Sequence, residues 1–364
     1  MPGRRLRLLL VTWLCAALLL AACGSPAAGQ PPPQSTQGEA VATAAGAPPD
    51  APQPAAGAQA LPAGAPLEAA WATSLAWLPG EAGMALVGTG QAALVNPDAG
   101  PFAPQSVQPQ QVAPQAMTDP ILLTSSAGQP LAAWVSGATQ VYLWAPGSSQ
   151  PQSAGEAGAP VTGLALDPAG GALAVASTDG RVQVYLAQAL EPAQFWQAPN
   201  WLANLSYSPD GGQVGGADLA SSVVYVFNAY SGELLRTLEW LENPGSNLAG
   251  AYFAPDWRTL AWAARSAVQL MDVESGQLGP LLNHATEVGA LAWSPDGSLL
   301  ASAAAAQIGG ALLPAVYLWD GRSGELLQVI QQREPAASLA FSPDGTQLAA
   351  LSSSGQLQTW KIQR

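Results

Sequence analysis

Few residues in this chain have side chains suited to chemistry. Its 364 residues hold one histidine (His284), two cysteines (Cys15 and Cys23) and one lysine (Lys361). A structural zinc site needs four Cys or His ligands, so no metal site is expected. A phosphate loop needs Gly-x-x-x-x-Gly-Lys, and none exists. The Gly-x-Ser-x-Gly elbow of hydrolases is also missing. Carboxylates recur as Asp210, Asp296 and Asp344, each in a Ser-Pro-Asp-Gly turn. That setting assigns them to turn geometry, where Pro presets φ, Asp suits the third position and Gly the fourth. The chain is therefore expected to have no catalytic residue and no cofactor. Net charge is −13 with 10% charged residues, and nucleic-acid binding needs a basic footprint the chain does not have.

One cysteine sits in a pattern with a known use. Arg4, Arg5 and Arg7 precede an apolar run from Leu8 to Leu20, followed by Ala21-Ala22-Cys23-Gly24. The run is shorter than the ~20 residues of a spanning helix and fits a secretory signal. Its end resembles the lipobox of bacterial lipoproteins. The resemblance implies a signal peptide over 1–22, acylation at Cys23, and export to a bacterial cell membrane or outer membrane. Gly24–Ala65 then contains 29 Ala, Pro or Gly in 42 residues and no aromatic. It buries too little to offset its chain entropy, so 23–65 is expected to be a disordered tether.

The elements that would position everything else come from a repeat. Turn positions 79, 126, 168, 209, 255, 295 and 343 are spaced by 47, 42, 41, 46, 40 and 48 residues. Short apolar runs flank each turn, such as Leu291-Ala292-Trp293 before and Leu299–Ser302 after. A third run follows, Val316–Asp320 in one unit and Val182–Tyr185 in another, and then a Ser-Gly turn opens a fourth. Four strands per unit of 40–48 residues is the period of a propeller blade. Leu339–Gly345 (Leu-Ala-Phe-Ser-Pro-Asp-Gly) and Leu318–Asp320 (Leu-Trp-Asp) resemble the WD-repeat family over residues 66–364. The expected fold is an all-β, seven-bladed propeller of four antiparallel strands per blade. The last unit has only three strands of its own, so Pro66–Trp71 is expected to complete it. The family often links a His, a Ser or Thr, an Asp and a Trp by hydrogen bonds within a blade. Only unit six has the His, only unit three has a clear Asp (Asp179), and blade stability is expected to come from packing.

The resulting expectation is a non-enzymatic interaction module in the cell envelope, binding a protein or peptide partner and held to the membrane by lipid. Loops between blades, and between second and third strands, would form one rim. Trp201, Trp240, Glu242, Asn247, His284, Glu287, Arg333, Asp179 and Arg265 are the candidate partner-binding residues there. Trp257 is a further loop aromatic, and Ala303–Pro314 an insertion on the same rim. His284 is more simply a blade-stabilising residue, and the loop tryptophans could equally cover blade edges. The alternative function is an envelope enzyme or a binder of sugar or calcium in the central channel, for which a carboxylate lining would speak.

Overall fold

The structure is a computed structural model. It describes residues 58–63, 67–70, 72–79, 83–88, 91–95, 110–111, 123–125, 131–136, 138–145, 152–240 and 248–364. Among these there is no helix. Cys23 and the rest of the signal and lipobox, together with Glu242 and Asn247, lie outside the described residues.

Two short strands come first, β1 (Gln59–Pro62) and β2 (Leu67–Glu68). Blade one is β3 (Ser74–Trp77), β4 (Met84–Gly88), β5 (Gln91–Val95) and β6 (Gln110–Gln111). Blade two is β7 (Leu123–Ser125), β8 (Ala132–Ser136), β9 (Gln140–Trp144) and β10 (Gln152–Glu156). Blade three is β11 (Val161–Leu166), β12 (Ala172–Ser177), β13 (Arg181–Leu186) and β14 (Glu191–Gln197). Blade four is β15 (Ala203–Tyr207), β16 (Gln213–Asp218), β17 (Val223–Asn228) and β18 (Leu234–Glu239). Blade five is β19 (Leu248–Phe253), β20 (Thr259–Ala264), β21 (Ala267–Asp272) and β22 (Leu278–Asn283). Blade six is β23 (Ala290–Trp293), β24 (Leu299–Ile308), β25 (Ala311–Asp320) and β26 (Leu326–Gln331). The last sheet joins β27 (Ala336–Phe341), β28 (Gln347–Ser352) and β29 (Gln356–Gln363) to β1.

Seven antiparallel sheets thus repeat along the chain, an arrangement consistent with a β-propeller. First strands of neighbouring sheets lie together, β11 beside β15, β15 beside β19, β23 beside β27, and β27 beside β3. The first strand of each sheet is therefore the inner one. Alternate residues of the strands point into the spaces between sheets. There they form apolar clusters shared by neighbouring blades, as where Leu75, Met84 and Leu86 of blade one meet Leu351 and Leu357 of blade seven.

The strand that completes the last sheet differs from expectation. β1 pairs with β29 from Gln59↔Gln363 to Pro62↔Trp360. It lies inside the segment read as tether, so the sheets begin at Gln59 and not at residue 66. β2, within the expected Pro66–Trp71 piece, also pairs with β29, but only through Leu67↔Leu357 and Glu68↔Gln356. β29 is long enough to take both pieces end to end.

One turn breaks its own rule. Gly211, Gly297 and Gly345 occupy the left-handed fourth position of the Ser-Pro-Asp-Gly turns, with φ of 71°, 68° and 70°. In blade five Trp257 stands there at φ 57°. A side chain in that region costs roughly 1–2 kcal/mol. The indole offsets it by stacking on Phe253, ring centroids 4.3 Å apart and 14° between planes, and by donating from Nε1 to Ser206 Oγ at 3.3 Å in blade four.

Candidate interaction rim

Strands alternate in direction, so the two kinds of turn fall at opposite ends of each blade. First-to-second and third-to-fourth strand turns share one end. Second-to-third strand turns and the connections between blades share the other. Backbone hydrogen bonds tie the second group together: Ala198 N–H to Gly180 O at 2.9 Å, His284 N–H to Ser266 O at 2.8 Å, and Val288 N–H to Arg265 O at 2.8 Å. This end is the rim, and Asp179, Trp201, Arg265, His284, Glu287 and Arg333 fall at it, spread over the turns and connections of blades three to seven.

Their environments differ. Arg265, Glu287, Arg333 and Asp179 are exposed, and Trp201 is partly exposed. Trp240 is not: it is 6% exposed, in a core cluster with Val224, Leu238 and Trp262, and its ring centroid lies 6.5 Å from that of Trp262. The expectation of an exposed anchor there is corrected to a packing role. The residue directly follows β18, whose preceding Leu238 also points inward, and its ring turns into the space between blades four and five. Trp257 likewise covers a blade edge and lies in a first-to-second strand turn, away from the rim.

Asp179 organises its own turn. Its Oδ1 accepts from Ser177 Oγ at 2.7 Å and from Arg181 N–H at 3.1 Å. Those hydrogen bonds, the Ser177 one foremost, hold its carboxyl below the ordinary aspartate range. Asp218 went unnoticed as a second carboxylate of this kind. It is 1% exposed, and its Oδ1 accepts from the N–H groups of Ala220 and Ser221 at 3.0 and 3.1 Å. Its Oδ2 accepts from Asn200 Nδ2 at 3.0 Å, which fixes the blade three–four connection beside Trp201. Its position at the end of β16, before the turn, was the available signal.

His284 is held in blade six. Its Nε2 lies 2.7 Å from Ser302 Oγ, which also accepts from Trp319 Nε1 at 2.8 Å. The ring meets Tyr317 and Trp319 edge-on, with centroids 4.8 and 5.2 Å away. Nδ1 is buried without a hydrogen-bond partner. Burial pushes the imidazole down to about 4, and nearby backbone at Leu282 and Ser266 only partly opposes this. Three members of the His–Ser–Asp–Trp set are therefore assembled here, so in this blade a hydrogen-bonded chain adds to packing. Where a short turn with Asp would stand, β24 and β25 instead run on as a paired hairpin to Ile308↔Ala311, turning at Gly309-Gly310. The insertion Ala303–Pro314 is thus a projecting ladder on the rim, steadied where Ala305 N–H meets Thr286 Oγ1 at 2.8 Å.

The opposite end carries the turn carboxylates, each engaged locally. Ser208, Ser294 and Ser342 donate to Asp210, Asp296 and Asp344 at 2.5, 2.7 and 2.6 Å. Arg364 adds an ion pair to Asp296 at 2.5 Å. Among the described residues, the first strand of each sheet carries no Asp or Glu. Among the described residues no group of three His, Cys, Asp or Glu is placed to hold a metal ion.

Sequence reasoning also missed a device between blades. Trp77 Nε1 donates to Ala340 O and Trp293 Nε1 to Tyr252 O, both at 3.1 Å. Each indole ends an inner strand and reaches the neighbouring inner strand one residue before its end. Trp257 performs the corresponding link from its turn.

Comparison with known families gives a match to the WD domain, G-beta repeat (WD40) over residues 276–307. That span runs from the end of blade five into β24 and contains both His284 and Ser302. No curated protein matches the chain.

Proposed function

We infer that the chain works as an interaction module, which the WD40 repeat matched over residues 276–307 supports. We propose that this chain is an exported, lipid-anchored interaction module of the cell envelope, which docks a protein or peptide partner on its rim. The observation that carries the reading is the hairpin that projects from the rim, a feature no other blade has among the described residues. The rim carries exposed Arg265, Glu287 and Arg333 and the partly exposed Trp201 in its connections and turns. At the other end Asp210, Asp296 and Asp344 are engaged in their own turns. Fold alone does not give function, so the argument rests on the rim. The lipobox residues Leu20–Cys23 support attachment of the chain at Cys23. More than one acyl chain makes such attachment stable.

The experiment is capture from detergent-solubilised membranes of a bacterium that expresses the protein with Cys23 intact, beside a Cys23→Ser variant. The expected outcome is a partner recovered in fixed proportion to the wild-type chain, and a variant lost from the membrane fraction or left with its signal uncut. A variant processed and retained like wild type contradicts the anchor. Recovery of no partner in fixed proportion contradicts the interaction module.

A further inference from the structure

The strand that completes the last sheet is thinly embedded. Of the four residues of β1 only Ala60 is buried, at 3% exposure, while Gln59, Leu61 and Pro62 are exposed. One methyl group is a small apolar anchor. Ala63 N–H bonds Thr359 O at 2.9 Å, so by alternation Gln59 and Leu61 also face β29, and Ala60 turns its backbone outward.

That outward edge would leave an N–H and a C=O unpaired close to apolar neighbours. One side chain meets both. Gln328 Oε1 accepts from Ala60 N–H at 2.5 Å, and Gln328 Nε2 donates to Ala60 O at 3.2 Å. Gln328 is a partly buried residue of β26, the outer strand of blade six, and belongs to a different sheet from β1. Its carboxamide supplies the donor and acceptor that another strand would supply. Ala60 sits in the same apolar cluster as Leu327 and Ile330, which flank Gln328 on that strand.

We propose that Gln328 is the catch of a releasable latch. It holds the N-terminal strand in the last sheet, and its release lets β1 leave as a unit and bares the edge of β29. Loss of this side chain therefore frees residues it does not touch. Gln59 and Leu61 bond β29, so a purely local role for Gln328 would leave their amides protected.

The test is amide hydrogen exchange resolved to single residues on the full-length chain, for wild type, Gln328→Leu and Gln328→Glu. Gln328→Leu should speed exchange at Gln59, Ala60 and Leu61 together by tenfold or more, with exchange in β20 and β21 unchanged. Gln328→Glu retains the acceptor for Ala60 N–H and should give a smaller, still concerted increase. It also supplies the reading if the leucine variant does not fold. Acceleration at Ala60 alone, or at none of the three, overturns the latch.

Discussion

At the scale of single residues, His284 and Trp257 show how this chain uses uncommon side chains to pack. The unfolded chain takes up a proton on His284 near pH 6.5, whereas the folded chain, with the imidazole pushed down to about 4, does not. Stability contributed by the neutral ring is complete above pH 6.5. It falls as pH drops toward 4 and changes no further below that. The slope is at most one proton, about 1.4 kcal/mol per pH unit. Denaturant melts at pH 7 and pH 5 should therefore show a larger loss for wild type than for His284→Gln, and equal losses would contradict the buried neutral ring. Trp257 makes a separate claim. Replacing it by Ala keeps the left-handed backbone and removes the ring, and replacing it by Gly removes both. Trp257→Gly should be the more stable variant by about 1 kcal/mol, and both should be less stable than wild type. A glycine variant no better than alanine would mean that φ at this turn relaxes without cost.

At the scale of elements, what the sequence made legible was whatever repeats locally. Ser-Pro-Asp-Gly turns in blades four, six and seven, their variants in blades three and five, and apolar third-strand runs such as Val316–Trp319 make the strands of blades three to seven legible, because turn chemistry and two-residue alternation are short-range properties. The first two units have weak turns and are placed mainly by spacing, with Val141–Trp144 the one clear strand run. β1 was missed because Gln59-Ala60-Leu61-Pro62 resembles its Ala- and Pro-rich surroundings. It becomes a strand through pairing with β29, some 300 residues away. For the same reason Trp240 was misread: its environment is supplied by blade five. The indole links from Trp77 and Trp293 cross between blades and leave no local trace. These placements alter what truncation should do. Deleting residues 24–57 should leave the melting temperature unchanged. Deleting residues 24–63 removes β1 and exposes the β29 edge, which invites association. A loss of about 2 kcal/mol would lower Tm by roughly 4 °C in a molecule of this size. Thermal melts and a sizing column on both truncations check it, and identical behaviour would mean that β1 contributes nothing to the last sheet.

At the scale of the whole molecule, the two ends of the blades differ in how their turns are built. The turn carboxylates at one end are bound to their own serines and to Arg364, which makes them structural. The connections at the other end are braced by backbone bonds and by Asp218, yet leave Trp201, Arg265, Glu287 and Arg333 facing outward. With a net charge of −13, a basic or neutral partner would meet the chain with least repulsion. An aromatic at such a site can be worth ~2 kcal/mol of binding or more. The most direct measurement sets the two ends against each other, recording partner capture and melting temperature for Trp201→Ala and Arg333→Ala on the rim and for Glu233→Ala and Glu274→Ala at the opposite end. The rim variants should lose capture, by about tenfold or more for Trp201→Ala, with Tm within a degree or two of wild type, and the opposite variants should retain it. Capture that survives both rim changes, or that falls only in step with Tm, would contradict the rim as the working surface.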